Sequence, residues 1–189
     1  MGVEGFKMKP EDVTLYSGGA RGAEAAFGET AAKHGVAEVN FTFEGHHIQR
    51  TESTRSLSAN ELAKGDVSMV EVAKRLGRDY STRPWMRQIL QSIWHQVNNG
   101  YQVFVVGTIQ NDGTVKGGTG WAAELAKMWN RPLHVFDQER GHWFTWRNDT
   151  WIEDEPVIAH KTVCGTGTRN LNDAGRKAIE DLFARSFAR

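Results

Sequence analysis

Apolar residues recur along the chain in two rhythms, a short one that suits strands and a longer one that suits helices. Residues 13–16 form a short apolar run that stops at Ser17-Gly18-Gly19-Ala20-Arg21-Gly22, and the Ala-rich stretch AEAAFGETAAKHG follows. That order predicts a strand, a tight turn and a helix, with Gly35 at a helix C′ position. Val39, Phe41 and Phe43 alternate with polar residues, which predicts a half-buried strand over 39–43. Across residues 44–81 the pattern blurs. GHHIQRTESTRSLSANELAKGD predicts a long polar loop with short helical pieces, and Val70, Val72, Ala73 and Leu76 mark a short helix over 67–76. Met86, Ile89, Leu90, Ile93 and Val97 then recur every three or four residues behind Pro84, so 84–98 reads as an amphipathic helix with proline at N1.

Further strands are predicted over 101–106, 133–136 and 157–163, and further helices over 121–129 and 173–187. A small hairpin, 143–146 with 150–152, turns at Asn148-Asp149. Strands alternating with helices predict a Rossmann-like three-layer α/β/α fold with a mostly parallel sheet. The expected organisation is one domain over 1–189 with an excursion at about 44–81. Ligands of such sheets bind beyond the carboxyl ends of the strands, where strand order reverses. Three Gly-rich segments fall at those ends.

Composition adds exclusions. The 189 residues carry 23 Lys+Arg against 23 Asp+Glu, a formal charge of zero, which argues against a nucleic-acid coat. Cys164 is the one cysteine, so no internal disulfide can form, no Cys-based zinc site is expected and no metal is assigned. No run of about 18 apolar residues exists, and MGVEGFKMKPEDV lacks the apolar core of a signal peptide. The expectation is a cytoplasmic protein with no membrane partner.

The chemistry sits in the glycines. Ser17, Gly18, Gly19, Arg21 and Gly22, with Glu24 just beyond, open one helix; Gly117, Gly118, Thr119 and Gly120 open another. Glycine lets the backbone approach a phosphate closely, and a helix N-terminus offers N–H donors and a partial positive charge. Gly165, Thr166, Gly167, Thr168 and Arg169 add two hydroxyls and a guanidinium suited to phosphate or carboxylate. Gly107 and Asp137 end two strands at the same level. None of the three segments is a P-loop, because no G-x-x-x-x-G-K-[ST] occurs and Lys116 precedes its glycines. Ser17-x-Gly19-x-x-Gly22 lacks only the first glycine of a dinucleotide fingerprint, with Glu44 at the ribose-carboxylate distance.

SGGARGAEAAFGETAAKHG resembles the S-G-x-A-R-G-[ID]-x-A-A-H segment of DNA-processing protein A, and GGTGWAAE resembles the G-G-x-G-T-x-x-E motif of the lonely-guy phosphoribohydrolases. Both families belong to the SLOG superfamily of Rossmann-like nucleotide-binding domains. CGTGTRNLNDAGRKAIEDLF is similar to the V-G-[ST]-R strand and helix that begins many members, yet here it lies at the C-terminus. The resemblance therefore implies a circularly permuted SLOG-like domain, with strand 157–163 beside strand 13–16. GGTGWAAELA and RPLHVFDQ also resemble proteins of phages and large DNA viruses.

The resemblance implies a nucleotide-like ligand, no cofactor and a homodimer. It makes Glu124 the carboxylate facing a ribose and Arg87, or Arg83, the arginine beside it, as in a nucleotide N-glycosidase. This sequence departs from the family at Glu24, often Asp there, and at Trp121, which replaces a threonine hydroxyl with a stacking surface. The leading expectation is a sensor, carrier or sequestering protein for a phosphate-bearing nucleotide, nucleotide sugar or ADP-ribose-like ligand. The alternatives are a phosphoribohydrolase-type N-glycosidase and a single-stranded DNA binder. His46-His47 is expected at the surface or behind the ligand contacts. Trp143, Trp146 and Trp151 either stack on a base or seal the hairpin.

Overall fold

The computed structural model describes residues 7–80 and 83–188. Eight strands form one sheet in the order β3-β2-β1-β8-β4-β5-β6-β7. They span Thr14–Ser17 (β1), Ala37–Thr42 (β2), Thr54–Ser56 (β3), Gln102–Gly107 (β4), Leu133–Asp137 (β5), His142–Arg147 (β6), Thr150–Asp154 (β7) and Thr162–Gly167 (β8). Every pairing is parallel except β5 with β6 and β6 with β7. Helices Ala23–Lys33 (α1) and Asp173–Phe187 (α6) cover one face. Ala59–Ala63 (α2), Asp66–Leu76 (α3), Pro84–Asn99 (α4) and Thr119–Met128 (α5) cover the other. This is the Rossmann-like three-layer arrangement that the alternating pattern predicts.

The central strand shows why the pattern works. In β4, Phe104 and Val106 enter the core under α1 and α6, while Val103 and Val105 enter the core under α3, α4 and α5. A strand buried on both faces reads as an unbroken apolar run, and β4 is one. Asn148 and Asp149 both take positive φ, 49° and 59°, in the two-residue turn that joins β6 to β7.

Two sequence expectations shift. Residues 44–81 are not mainly loop. Ser58 caps α2 in a capping box with Glu61, α3 packs on α4 and α5, and β3 adds a sheet edge. The backbone amides of Gln49 and Arg50 donate to the Gly19 carbonyl, and Arg50 pairs with Glu38, so the segment is fastened to the first Gly-rich turn. The final strand begins at Thr162, not at 157, and runs through Gly165 to Gly167. A Cβ on Gly165 would lie 2.5 Å from the Phe27 ring, so this glycine lets α1 settle on the strand rather than making a turn.

β8 lies between β1 and β4, the position required by its resemblance to a first strand. From β1 the order runs outward to β3, and from β4 outward to β7. The reversal falls at β1, β8 and β4, three adjacent parallel strands. Their carboxyl ends point the same way.

Candidate functional site

A cleft of about 550 Å³ opens at that reversal, within the usual range of small-molecule sites. All three Gly-rich segments reach it: Ala20 from the first, Gly117, Gly118 and Thr119 from the second, Thr166, Gly167, Thr168 and Arg169 from the third. Gly107 and Glu24 also line it. So do residues with no glycine-rich signature: His46, Thr108, Lys116, Gln138 and Asn170, with Trp85, Met86, Ile89, Ser92 and Ile93 along α4.

The apolar stripe of α4 explains its own contribution. Leu90, Ile93 and Val97 enter the core, while Trp85, Met86 and Ile89 extend the stripe past the sheet end and form an apolar wall. Trp85 is exposed, and the Arg169 guanidinium sits 5.5 Å above its ring. Opposite stands the start of α5. Gly117 takes φ +72°, Gly118 precedes the helix, and the first N–H groups of any helix lack an intrahelical acceptor. Lys116, Thr119 and Arg169 place two cations and a hydroxyl around that end of the cleft. Arg78 holds the loop in shape, donating to the carbonyls of Gly117 at 2.8 Å and Val115 at 3.1 Å. No side chain fits at Gly120, where a Cβ would meet the Val115 carbonyl at 2.0 Å.

The first Gly-rich turn plays another part than expected. The Ala23 amide at the start of α1 donates to the Thr168 carbonyl at 3.0 Å, and a Cβ on Gly22 would lie 2.4 Å from that same oxygen. That amide is therefore spent on joining the first segment to the third. Ser17 is fully buried and donates through Oγ to the Gly165 carbonyl at 2.6 Å. Gly18 and Gly19 lie behind the cleft, and Arg21 is exposed outside it.

Glu24 is what this turn brings to the site. It is 9% exposed, and its Oε2 is buried with no hydrogen-bond partner. A Cβ on Gly18 would lie 2.5 Å from that oxygen and 2.5 Å from Gln96 Nε2, so the glycine makes room for both groups. Burial raises the Glu24 carboxyl from 4.5 to about 7, against the opposing pull of Gln96 and Arg169. His46 stacks on Phe43 with ring centroids 4.4 Å apart, and burial and Arg169 lower it to about 4. It is neutral at pH 7, which leaves Lys116 and Arg169 as cations of the cleft.

Several expected site residues lie elsewhere. Glu124 faces away from the cleft, with Lys127 Nζ 3.5 Å from its carboxylate, and that ammonium lies 3.9 Å from the centre of the Trp146 ring. Arg87 is 3.4 Å from Asp66 and lies over the Tyr80 ring. Trp121 is buried against Tyr80, behind the Gly117–Gly118 loop. Asp137 is fully buried and accepts the amides of Ile109, Glu139 and Arg140, each at 2.9 Å, so it organises the turn after β5. Glu44 is exposed outside the cleft. The tryptophan cluster seals the hairpin: Trp143 enters the core, and Trp146 and Trp151 pack edge to face.

A wider hollow of about 690 Å³ lies between the β6–β7 hairpin and α6, rimmed by Glu153, Asp154, Glu155 and Asp181. Its acidic rim and lack of Gly-rich backbone make it a poor anion site. Among the described residues no cluster of three metal-ligating side chains occurs, and no helix is long and apolar enough to cross a membrane.

No protein-family model and no curated protein sequence matches the chain. The fold is similar to that of a crystal structure from Syntrophus aciditrophicus SB described as a "putative molybdenum carrier protein". The two share 16% identity over 96% of this chain and 98% of that one, with a TM-score of 0.55. At that identity the likeness is one of fold.

Proposed function

We propose that this protein binds a small phosphorylated ligand, nucleotide or nucleotide-derived, in the cleft at the ends of β1, β8 and β4, and serves as a sensor, carrier or sequestering protein. The observation that carries the reading is the meeting of three Gly-rich segments in one cleft with cations at one end and an apolar wall along its side. Phosphate belongs near Lys116, Gly117, Gly118 and Thr119, where main-chain amides and the start of α5 favour an anion. A ring belongs against Trp85, Met86 and Ile89.

Binding fits better than N-glycosidase chemistry. Glycoside cleavage needs a carboxylate at the sugar, and the expected one, Glu124, is turned to Lys127 outside the cleft. Single-stranded DNA binding gains nothing from a balanced charge and a cleft of this size. The neighbour's description as a carrier of molybdenum fits a carrier role, and molybdate, a tetrahedral oxyanion like phosphate, belongs among the probes.

The test is calorimetry with inorganic phosphate, ribose 5-phosphate, AMP, GMP, ADP-ribose and molybdate, each followed for released base where a base is present. The expected result is saturable binding of phosphorylated compounds, weakened by Lys116→Ala and Arg169→Ala, without turnover. Absence of binding by all six probes overturns the proposal. Release of free base overturns the assignment as a binder alone.

A further inference from the structure

An unpaired acceptor in a closed environment is expensive unless something supplies its donor. Glu24 Oε2 is such an atom. The residue lines the cleft while its side chain is nine-tenths buried, and it is the sole acid among the described residues that line it. Gly18 gives up a side chain to admit the carboxyl, and Gln96 fixes it from behind. Neither feature is needed to build the turn, because the Ala23–Thr168 hydrogen bond already joins α1 to β8.

Resting on the phosphorylated-ligand reading above, we infer that Glu24 selects the ligand's ring, pairing its carboxyl with adjacent N–H donors such as the amino and imino groups of a 2-amino-4-oxo heterocycle. Three features support that chemistry. A carboxylate has two acceptor oxygens side by side, which match two neighbouring N–H groups. The apolar wall of Trp85, Met86, Ile89 and Ile93 borders the same cleft and suits a flat ring. The cations lie with Lys116 and Arg169, so phosphate and ring have separate anchors in one cleft.

Guanine nucleotides and phosphorylated pterins both present this edge, and the experiment separates them. Wild type, Glu24→Gln and Arg169→Ala are titrated with GMP, IMP, 6-hydroxymethylpterin monophosphate and ribose 5-phosphate. IMP keeps the imino group and lacks the 2-amino group. The expected result is that wild type holds GMP or the pterin, whichever source applies, about tenfold or more tighter than ribose 5-phosphate. IMP should bind more weakly than GMP if guanine is the source. Glu24→Gln should lose that advantage while keeping its affinity for ribose 5-phosphate, which also reports that the variant is folded. Arg169→Ala should weaken all four.

Unchanged ring selectivity in Glu24→Gln overturns the inference. So does wild type that binds ribose 5-phosphate as tightly as every ring-bearing probe, an outcome that leaves the phosphate site standing. Failure of wild type to bind any of the four overturns the phosphate reading itself.

Discussion

Replacing Glu24 with glutamine should stabilise the protein, and by more at alkaline than at acidic pH. The unfolded chain releases the Glu24 proton near 4.5, whereas the fold holds it to about 7. Between those values the native state binds the extra proton, so wild-type stability falls as pH rises through the interval and levels off above it. The full difference corresponds to about 3 kcal/mol well above pH 7, and between pH 5 and pH 8 about 2 kcal/mol of it should appear. Glutamine keeps the shape and cannot ionise. The groups around Glu24 do not mimic the effect: Gln96 does not titrate, Arg169 stays charged, and burial holds the Cys164 thiol far above its usual range. His46 and His134, both lowered to about 4, make wild type and variant alike lose stability as pH falls from 6.5. Taking the variant-minus-wild-type difference at each pH removes their contribution. The assay is urea unfolding followed by tryptophan fluorescence at pH 5, 6.5 and 8. A difference that stays constant across the three, or shrinks toward pH 8, refutes the placement of Glu24 as a buried carboxyl.

Asp137→Asn should cost about 2–3 kcal/mol in urea unfolding, because a buried carboxylate with three amide donors and Arg140 loses its charge. Those partners hold Asp137 below its ordinary value of 3.8, so its stabilising contribution is present above that pH and lost as pH falls through the native value. Equal acid sensitivity of wild type and Asp137→Asn would contradict this. Gly22→Ala should lower stability by about 2 kcal/mol or more, read as a drop in Tm, since φ is +94° and the new Cβ strikes the Thr168 carbonyl. Cys164, buried between the sheet and its helices with its thiol pushed up by desolvation, should react with a thiol reagent only on unfolding. Rapid labelling of the folded protein would be the contrary result.

The alternation of apolar runs with helical stripes was enough to specify a parallel sheet covered on both faces, because β4 and β5 carry their burial in the sequence itself. Asn148-Asp149 announced the hairpin for a similar local reason: these residues tolerate positive φ. The glycines announced where the cleft would open, because strand ends in such a fold share one edge.

What those glycines do was decided only in three dimensions. Gly165 admits Phe27 and Gly22 admits Thr168, close approaches between residues far apart in the chain, which local pattern cannot distinguish from phosphate-binding turns. β3 has three exposed residues and no apolar signature, and it exists because β2 offers it an edge. The two glutamates make the same point most sharply. Glu24 and Glu124 both follow a Gly-rich turn within the opening turns of a helix, and sequence weighted the second for catalysis. A helix turns about 100° per residue, so its docking angle decides which way each side chain points. Docking turned Glu124 to Lys127 and the tryptophans and left Glu24 in the cleft with an unanswered acceptor.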